Sequence, residues 1–479
     1  MRLVIASSVQ CWWPAQRPQP LAVGFLIRTM GKVAWQKALL QRLVGLLGVA
    51  GVAALLLYLR RRLFQPKLLA APAPVPAKQT RMAPTGRHVA VTGANGYLGS
   101  ACVELFLLRG HSVRGCVRGQ PSAKCYTFLH DSAAVLGSST FELAGGCTLG
   151  CAPSFERAFS GCDTVVHTAM PMDNSGLVFD SDEYRRLRAE LIQATMGVLE
   201  AAAAAGVTTF VHTSSSTAVI GHVVDGRTYD ETDWSDEQPG TSAYGHLKAA
   251  VERTVVEWHR EHRAPFRLVR ICPPAIIGPS AAATVNEFVK AIVTSPLTEP
   301  LKWSSIPQMR LALCTLRDAA LAHALALENE AAHGRFCIGE QMLSAEEWLR
   351  ALRSAGYCWP IYLTLHLPVP GPSWIVTPIF RSLLSLPLVA RLLGFGPDEV
   401  RSIVTILGTS SWVYDCSRAK RELAPPGHEG FTHECAIAAG IEAARSLEAR
   451  GMLSGPGGHT TPEGRAWKPS QWESKYCRR

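Results

Sequence analysis

The stretch Arg87-His88-Val89-Ala90-Val91-Thr92-Gly93-Ala94-Asn95-Gly96-Tyr97-Leu98-Gly99 decides how this chain is read. A short apolar, β-branched run predicts a buried strand, a glycine turn follows it, and Ser100 to Leu108 carries a helical pattern. Strand, tight turn and helix in that order require a backbone that reverses sharply and comes close to whatever lies against it, which a residue without a Cβ permits. The corner also aims the N–H groups of a helix N-terminus at one point, a ready place for a diphosphate. Glycine triplets occur in structural loops too; the strand before this one and the helix after it favour a dinucleotide site.

Working outward, the next apolar run, His111 to Val117, ends where a fold binding NAD would offer a carboxylate to the ribose 2′-hydroxyl. No Asp or Glu occurs from Leu105 to His130, whereas Arg114 and Arg118 flank the strand end and Lys124 follows. A guanidinium suits a 2′-phosphate through paired hydrogen bonds, so NADP(H) is favoured, with NAD(H) the alternative. The plainer reading of these arginines is a solvated loop.

Thr208 to Val211 reads as another buried strand and runs into His212-Thr213-Ser214-Ser215-Ser216. After a loop comes Tyr244-Gly245-His246-Leu247-Lys248, in a helical pattern that continues to Trp258. Tyr244 and Lys248 are one helical turn apart and share a face. An ammonium beside a phenol stabilises the phenolate, so the phenol can exchange a proton with a carbonyl oxygen, and a serine hydroxyl can hold that oxygen as charge develops. A Tyr and a Lys at this spacing mean little alone. Their weight comes from the order glycine turn, strand-end serines, then Tyr-x-x-x-Lys in one α/β chain. His212 and His246 are read as structural.

These motifs resemble the extended short-chain dehydrogenase/reductase superfamily, in particular its dihydroflavonol reductase and cinnamoyl-CoA reductase branch with 3-beta-hydroxysteroid dehydrogenase relatives. The resemblance runs from about His88 to about Ala444. It rests on Val91 to Gly99, Val113 to Arg118, Val165 to Met172, Tyr229 to Asp236, the Tyr244/Lys248 pair and Cys272-Pro273-Pro274-Ala275-Ile276-Ile277-Gly278-Pro279. It implies an α/β fold, a doubly wound parallel sheet of the Rossmann type with a smaller C-terminal substrate lobe. By match, it implies Tyr244 as general acid/base, Lys248 as ribose ligand and tuner, and Ser215, or its neighbour Ser216, as the hydroxyl holding the substrate oxygen. Gly93, Asn95, Gly96, Tyr97, Leu98, Gly99, Thr168, Ala169, Ser214 and Pro273 would border the cofactor, with Tyr244 and Lys248 also touching it; Arg118 and Lys124 would meet the 2′-phosphate. Cys147-Thr148-Leu149 departs from the Ala-Asp-Leu of the family, whose Asp contacts adenine. The implied activity is interconversion of a carbonyl and an alcohol on an apolar or aromatic small molecule. The alternatives are a membrane-associated 3-beta-hydroxysteroid or sterol dehydrogenase, which would prefer NAD, and a non-catalytic NADP-binding scaffold, which would not need Ser215, Tyr244 and Lys248 together.

The rest of the chain bounds this reading. Of 479 residues, 47% are hydrophobic, enough for a sizeable core, and the net charge is +10. Much of that excess lies in a leader, since Met1 to Val103 contains no acid, so a nucleic-acid partner is not expected. The 14 cysteines show no Cys-x-x-Cys pair and are read as free thiols, with no metal site. Residues 1–85 form the basic leader, in which Leu43 to Leu59 holds no charge and no proline. At about 1.5 Å per residue this run reaches the lower limit for crossing a hydrocarbon layer of about 30 Å. Arg60, Arg61 and Arg62 follow it, giving a membrane-associated protein of the endoplasmic reticulum or an organelle whose catalytic part faces the cytoplasm. A cleavable organelle-targeting leader ending in the Pro/Ala-rich linker Leu69 to Lys78 is the alternative. Residues 86–279 are assigned to the NADP-binding domain with the catalytic residues, 280–450 mainly to the substrate lobe, and 451–479 to a disordered tail. Six prolines between Trp359 and Phe395 argue against a straight spanning helix there.

Overall fold

The computed structural model describes residues 86–136, 140–170, 179–235, 242–280, 310–339, 341–344, 411–423 and 436–449, with single positions at 282, 347, 382, 386, 400 and 409. The candidate span 43–59, the tail 451–479 and nearly all of the proline-punctuated stretch 359–395 lie outside the described residues. Among the described residues no helix is long and apolar enough to cross a membrane, and the described cysteines are free. The chain divides into a unit Met1–Ala71 and a unit Pro72–Arg479, and every described residue belongs to the second.

Seven strands form the main sheet: β1 His88–Thr92, β2 Ser112–Cys116, β3 Phe141–Ala144, β4 Thr164–His167, β5 Thr209–Thr213, β7 Arg267–Cys272 and β10 Gly334–Cys337. Their order is β10-β7-β5-β4-β1-β2-β3, and every neighbouring pair is parallel. A parallel sheet needs both faces covered, which is why β4 and β5 are buried at every position and read as continuous apolar runs. Helices α1 Tyr97–Leu108, α2 Thr127–Val135, α3 Ala152–Phe159, α4 Asp182–Ala204, α5 Ala243–Glu261 and α6 Leu316–Glu328 supply the cover. Alternate residues of β1 separate the two layers: Val89 and Val91 join a core with Phe106, Leu129 and Leu325, from α1, α2 and α6. Ala90 joins a second core with Phe159, Leu199 and Trp258, from α3, α4 and α5. Each large side chain fully buried this way contributes about 1.5–3 kcal/mol.

Beyond the main sheet, β8 Ala275–Ile277 and β9 Arg310–Thr315 pair in parallel, and β11 Gln341–Ser344 runs antiparallel to β9. A short parallel pair, β6 Thr228–Tyr229 with β12 Val413–Tyr414, and a late helix α7 Ala436–Ala449 complete the described elements. The main sheet extends past the boundary placed at residue 279. Helix α6 and strand β10, from the segment assigned mainly to the substrate lobe, supply its last crossover and its edge. The reason is physical: β7 would otherwise be an uncovered edge, and Ala319 to Leu327 is apolar on several sides, as a helix buried between layers must be.

Two acids mark the layer around α1. Glu328, at the end of α6, is opposed by burial, yet Arg109 at 2.5 Å on each oxygen and His111 at 3.0 Å pull its carboxyl down to about 2. Glu104 has no ion pair among the described residues; burial pushes it up to about 7, and the Ser132 hydroxyl at 2.7 Å favours its charged form. Because the folded pKa lies above the unfolded one, Glu104 costs nothing at acid pH and weakens the fold progressively as pH rises toward and through about 7. Glu104→Gln is therefore expected to raise Tm at about pH 8 and to leave it nearly unchanged at about pH 4. Thermal melts across that range check this, and an equal shift at both ends would overturn it.

Candidate active site

The glycine corner lies at the carboxyl end of β1, between β1 and β4, where the strand order reverses and crevices form in doubly wound sheets. Gly93 has φ +67°, and a Cβ on it would stand 3.0 Å from the Ala169 Cα. The Gly96 N–H donates to the Gly93 carbonyl at 2.8 Å, closing the turn, and a Cβ on Gly99 would run into that same carbonyl. Helix α1 starts at Tyr97 with Gly96 as its cap, without a side-chain cap and without an acid in its first turn. This is a cradle of backbone N–H groups at a positive helix end, and it fits a diphosphate.

The corner is held from both sides. The Thr92 hydroxyl lies 2.8 Å from His167 Nδ1 and accepts from the Ala169 N–H at 3.2 Å, and the Thr168 hydroxyl donates to the Thr92 carbonyl at 2.7 Å. Burial depresses the His167 pKa to about 3, so the ring is neutral. Tyr97 donates through its hydroxyl to the Gly278 carbonyl at 2.5 Å, and Leu98 packs on the core, so both side chains anchor the loop; Asn95 stays half-buried in it.

Past β2 the two arginines separate. Arg114 is engaged by Glu142 at 2.5 Å and by the carbonyls of Ala158 and Ser160. Arg118 and Lys124 are exposed, and the turn that carries them is fixed by the Gly119 N–H donating to the Tyr126 hydroxyl at 3.0 Å. Cys147, where the resemblance expects the start of an adenine contact, is buried, with its N–H on the Val117 carbonyl.

Across the crevice, Ser215 caps a 3-10 turn over Ser216–Ala218, its Oγ accepting from the Thr217 N–H at 3.2 Å and the Thr217 hydroxyl at 2.9 Å. Ser216 is held through its N–H by the Pro273 carbonyl at 2.8 Å. Tyr244 stands one residue inside the start of α5, which Ser242 caps by accepting from the Gly245 N–H at 3.0 Å. Burial pushes the Tyr244 phenol up to about 12, while its hydrogen bond with Ser215 pulls the other way, so the ring meets a substrate in its protonated form. Lys248, one turn on, is buried and donates to the Thr213 carbonyl at 3.1 Å; burial lowers it to about 8, with Cys272 and Glu252 opposing that. The structure thus brings Ser215, Tyr244 and Lys248 together at the carboxyl end of β5, two strands from the glycine corner. That arrangement can protonate an oxygen and steady the charge left behind.

Three charged residues behind this group escape a reading of the sequence: Glu252, Arg270 and Arg335. Glu252 is fully buried, taking the Ser214 hydroxyl at 2.6 Å, Arg270 at 3.0 Å and Arg335 at 2.8 Å. The signal available was an acid at the inner position of an otherwise apolar helix face, next to Ala249, Val251 and Val255. Strand register puts Thr92, His167, His212, Arg270 and Arg335 in one row across five strands. His212 is held well below its ordinary pKa by burial, and His246 is fully buried against Phe179.

Fold and site together define a dinucleotide-dependent α/β enzyme. Residues 89–339 match the NAD dependent epimerase/dehydratase family, and the chain belongs to that family, as an NAD(P)-dependent oxidoreductase. It is 34% identical over 273 residues to cinnamoyl-CoA reductase 1 of Oryza sativa subsp. japonica, covering 55% of this chain and 75% of the relative. It is 28% identical over 288 residues to dihydroflavonol 4-reductase of Callistephus chinensis, covering 58% of this chain and 74% of the relative. Among solved structures, yeast methylglyoxal/isovaleraldehyde reductase Gre2 complexed with NADPH shares the fold, with a TM-score of 0.54 at 21% identity over 76% of this chain and 99% of that one.

If the corner is the diphosphate cradle, Gly99→Ala is expected to weaken dinucleotide binding by at least about tenfold, since the added methyl displaces the Gly93 carbonyl. Fluorescence titration with NADPH reads this directly, and undiminished affinity in a folded variant would place the cofactor elsewhere.

Proposed function

We propose that this enzyme reduces the carbonyl of an apolar or aromatic small molecule with NADP(H), in the manner of the cinnamoyl-CoA and dihydroflavonol reductases it is similar to. The observation that carries the proposal is the convergence of Ser215, Tyr244 and Lys248 at the carboxyl end of β5, on the same sheet edge as the Gly93–Gly99 corner. NADPH held there would supply hydride to the carbonyl carbon. The chain's own part is to position and to move a proton. Ser215 Oγ already accepts from Thr217 twice, so its own proton is free to point at the phenol or at a substrate oxygen. Tyr244 delivers its phenolic proton to that oxygen, and the buried ammonium of Lys248 and the N-terminal end of α5 stabilise the phenolate that remains. In the oxidative direction the same groups take the proton back.

Preference for NADP(H) is supported by the exposed Arg118 and Lys124 after β2 and by the lack of any carboxylate from Leu105 to His130. The NADPH named in the yeast reductase structure agrees with it. A steroid dehydrogenase using NAD would want an acid at that position, so it is the weaker reading. Membrane association through 43–59 belongs to the same proposal and is supported by the uncharged run and the three arginines that follow it.

The deciding assay is NADPH oxidation against a panel of cinnamoyl thioesters, flavonoid ketones, aldehydes and 3-ketosteroids. Turnover confined to the steroids with NADH would replace the proposal. Tyr244→Phe is expected to cut turnover by about two to four orders of magnitude while NADPH still binds. Arg118→Ala is expected to weaken NADPH by about tenfold or more and NADH hardly at all, and equal losses would remove Arg118 from the phosphate site. Because Lys248 sits near 8, turnover is expected to decline as pH rises through that value and its ammonium is lost.

A further inference from the structure

Tyr244, Lys248 and Glu252 follow one another at single turns along the inner face of α5. Glu252 is closed off from solvent. A fully buried carboxylate is costly unless its charge is met, and here two guanidinium groups and a serine meet it. The serine is Ser214, whose chain neighbour is Ser215. Arg335, only 2% exposed, reaches in three directions at once: to Glu252, to the Ala218 carbonyl at 3.1 Å, and to the carbonyls of Glu231 and Asp233. Ala218 closes the turn that Ser215 opens, and its carbonyl also takes the Ser235 N–H at 2.9 Å. Trp234 covers the guanidinium, 4.0 Å from its ring centre.

We infer that Glu252, clamped by Arg335, is a positioning residue that ties the Ser214–Ser215 segment to α5 and keeps Lys248 in its charged form. This rests on the reading of Ser215, Tyr244 and Lys248 as the reacting group.

The charge balance around Lys248 gives the second half of the argument. His167 faces it from β4, His212 from β5, Cys272 from β7 and Glu252 from its own helix. Arg270 and Arg335 face Glu252 from β7 and β10. Burial keeps both histidines neutral and raises the Cys272 thiol to about 12. Among these groups Glu252 is therefore the anion set against three cations. Without its charge, Lys248 would lose the carboxylate that faces it one turn along its own helix and release its proton at lower pH.

The test titrates Lys248 itself, by competitive acetylation with acetic anhydride across pH in the cofactor-free protein, read by peptide mass spectrometry. Glu252→Gln keeps the shape and removes the charge. The Lys248 pKa is expected to fall by about one unit or more. With NADPH and the best carbonyl of the panel, kcat is expected to fall at least about tenfold, KM for NADPH to change less than about twofold, and the alkaline decline to move to lower pH. Glu252→Asp, which keeps the charge on a shorter arm, should restore the Lys248 pKa and leave kcat low. Arg335→Lys should lower kcat with the Lys248 pKa preserved, and it serves where Glu252→Gln fails to fold. An unmoved Lys248 pKa in folded Glu252→Gln, or wild-type kcat in Arg335→Lys, overturns the inference. Absence of wild-type turnover with every carbonyl would instead defeat the proposed activity, while the Lys248 titration still decides the role of Glu252.

Discussion

One steric constraint governs the molecule: the chain leaving β1 must turn so tightly that Gly93 takes a left-handed φ and a Cβ on Gly99 would run into the Gly93 carbonyl. That turn sets where α1 begins, and therefore where its positive end points. Thr92, Thr168 and Ala169 then weld the turn to the end of β4, so the crevice at the strand reversal has one fixed wall. The opposite wall is α5, whose first turn carries the phenol.

The sheet explains how polar groups survive next to that crevice. The register aligns Thr92, His167, His212, Arg270 and Arg335 into one row across five strands. Thr92, His167, Arg270 and Arg335 are each met by a neighbour, whereas His212 stays neutral with both ring nitrogens unpartnered among the described residues. Low dielectric makes these contacts strong and an unpaired member expensive, so a neutral ring is the form that His212 can hold there.

Much of this was legible in the amino-acid sequence, for identifiable reasons. Buried parallel strands are written as short apolar runs, and the glycine corner and the Tyr244/Lys248 spacing are local patterns. The expected helix from Ser100 to Leu108 begins three residues earlier, at Tyr97, because Gly96 caps it directly. Arg114 and Arg118 looked equivalent, since nothing local says that the strand turns one toward α3 and leaves the other exposed. Glu252 and Arg335 were illegible as a pair: 83 residues separate them, and only the crossover through α6 brings them together. The same crossover carried the main sheet beyond residue 279.

That late crossover sets a timetable for biosynthesis. Helix α5 and the serine turn emerge well before β10, yet the guanidinium that joins them sits on β10, the outermost strand on that side. A nascent chain shorter than 335 residues can hold Glu252 with Arg270 and Ser214 alone, and its serine turn, held by Pro273 and Ser235, has no guanidinium tying it to α5. A polypeptide ended before β10 would therefore carry the serine, the phenol and the lysine without the guanidinium that joins turn to helix.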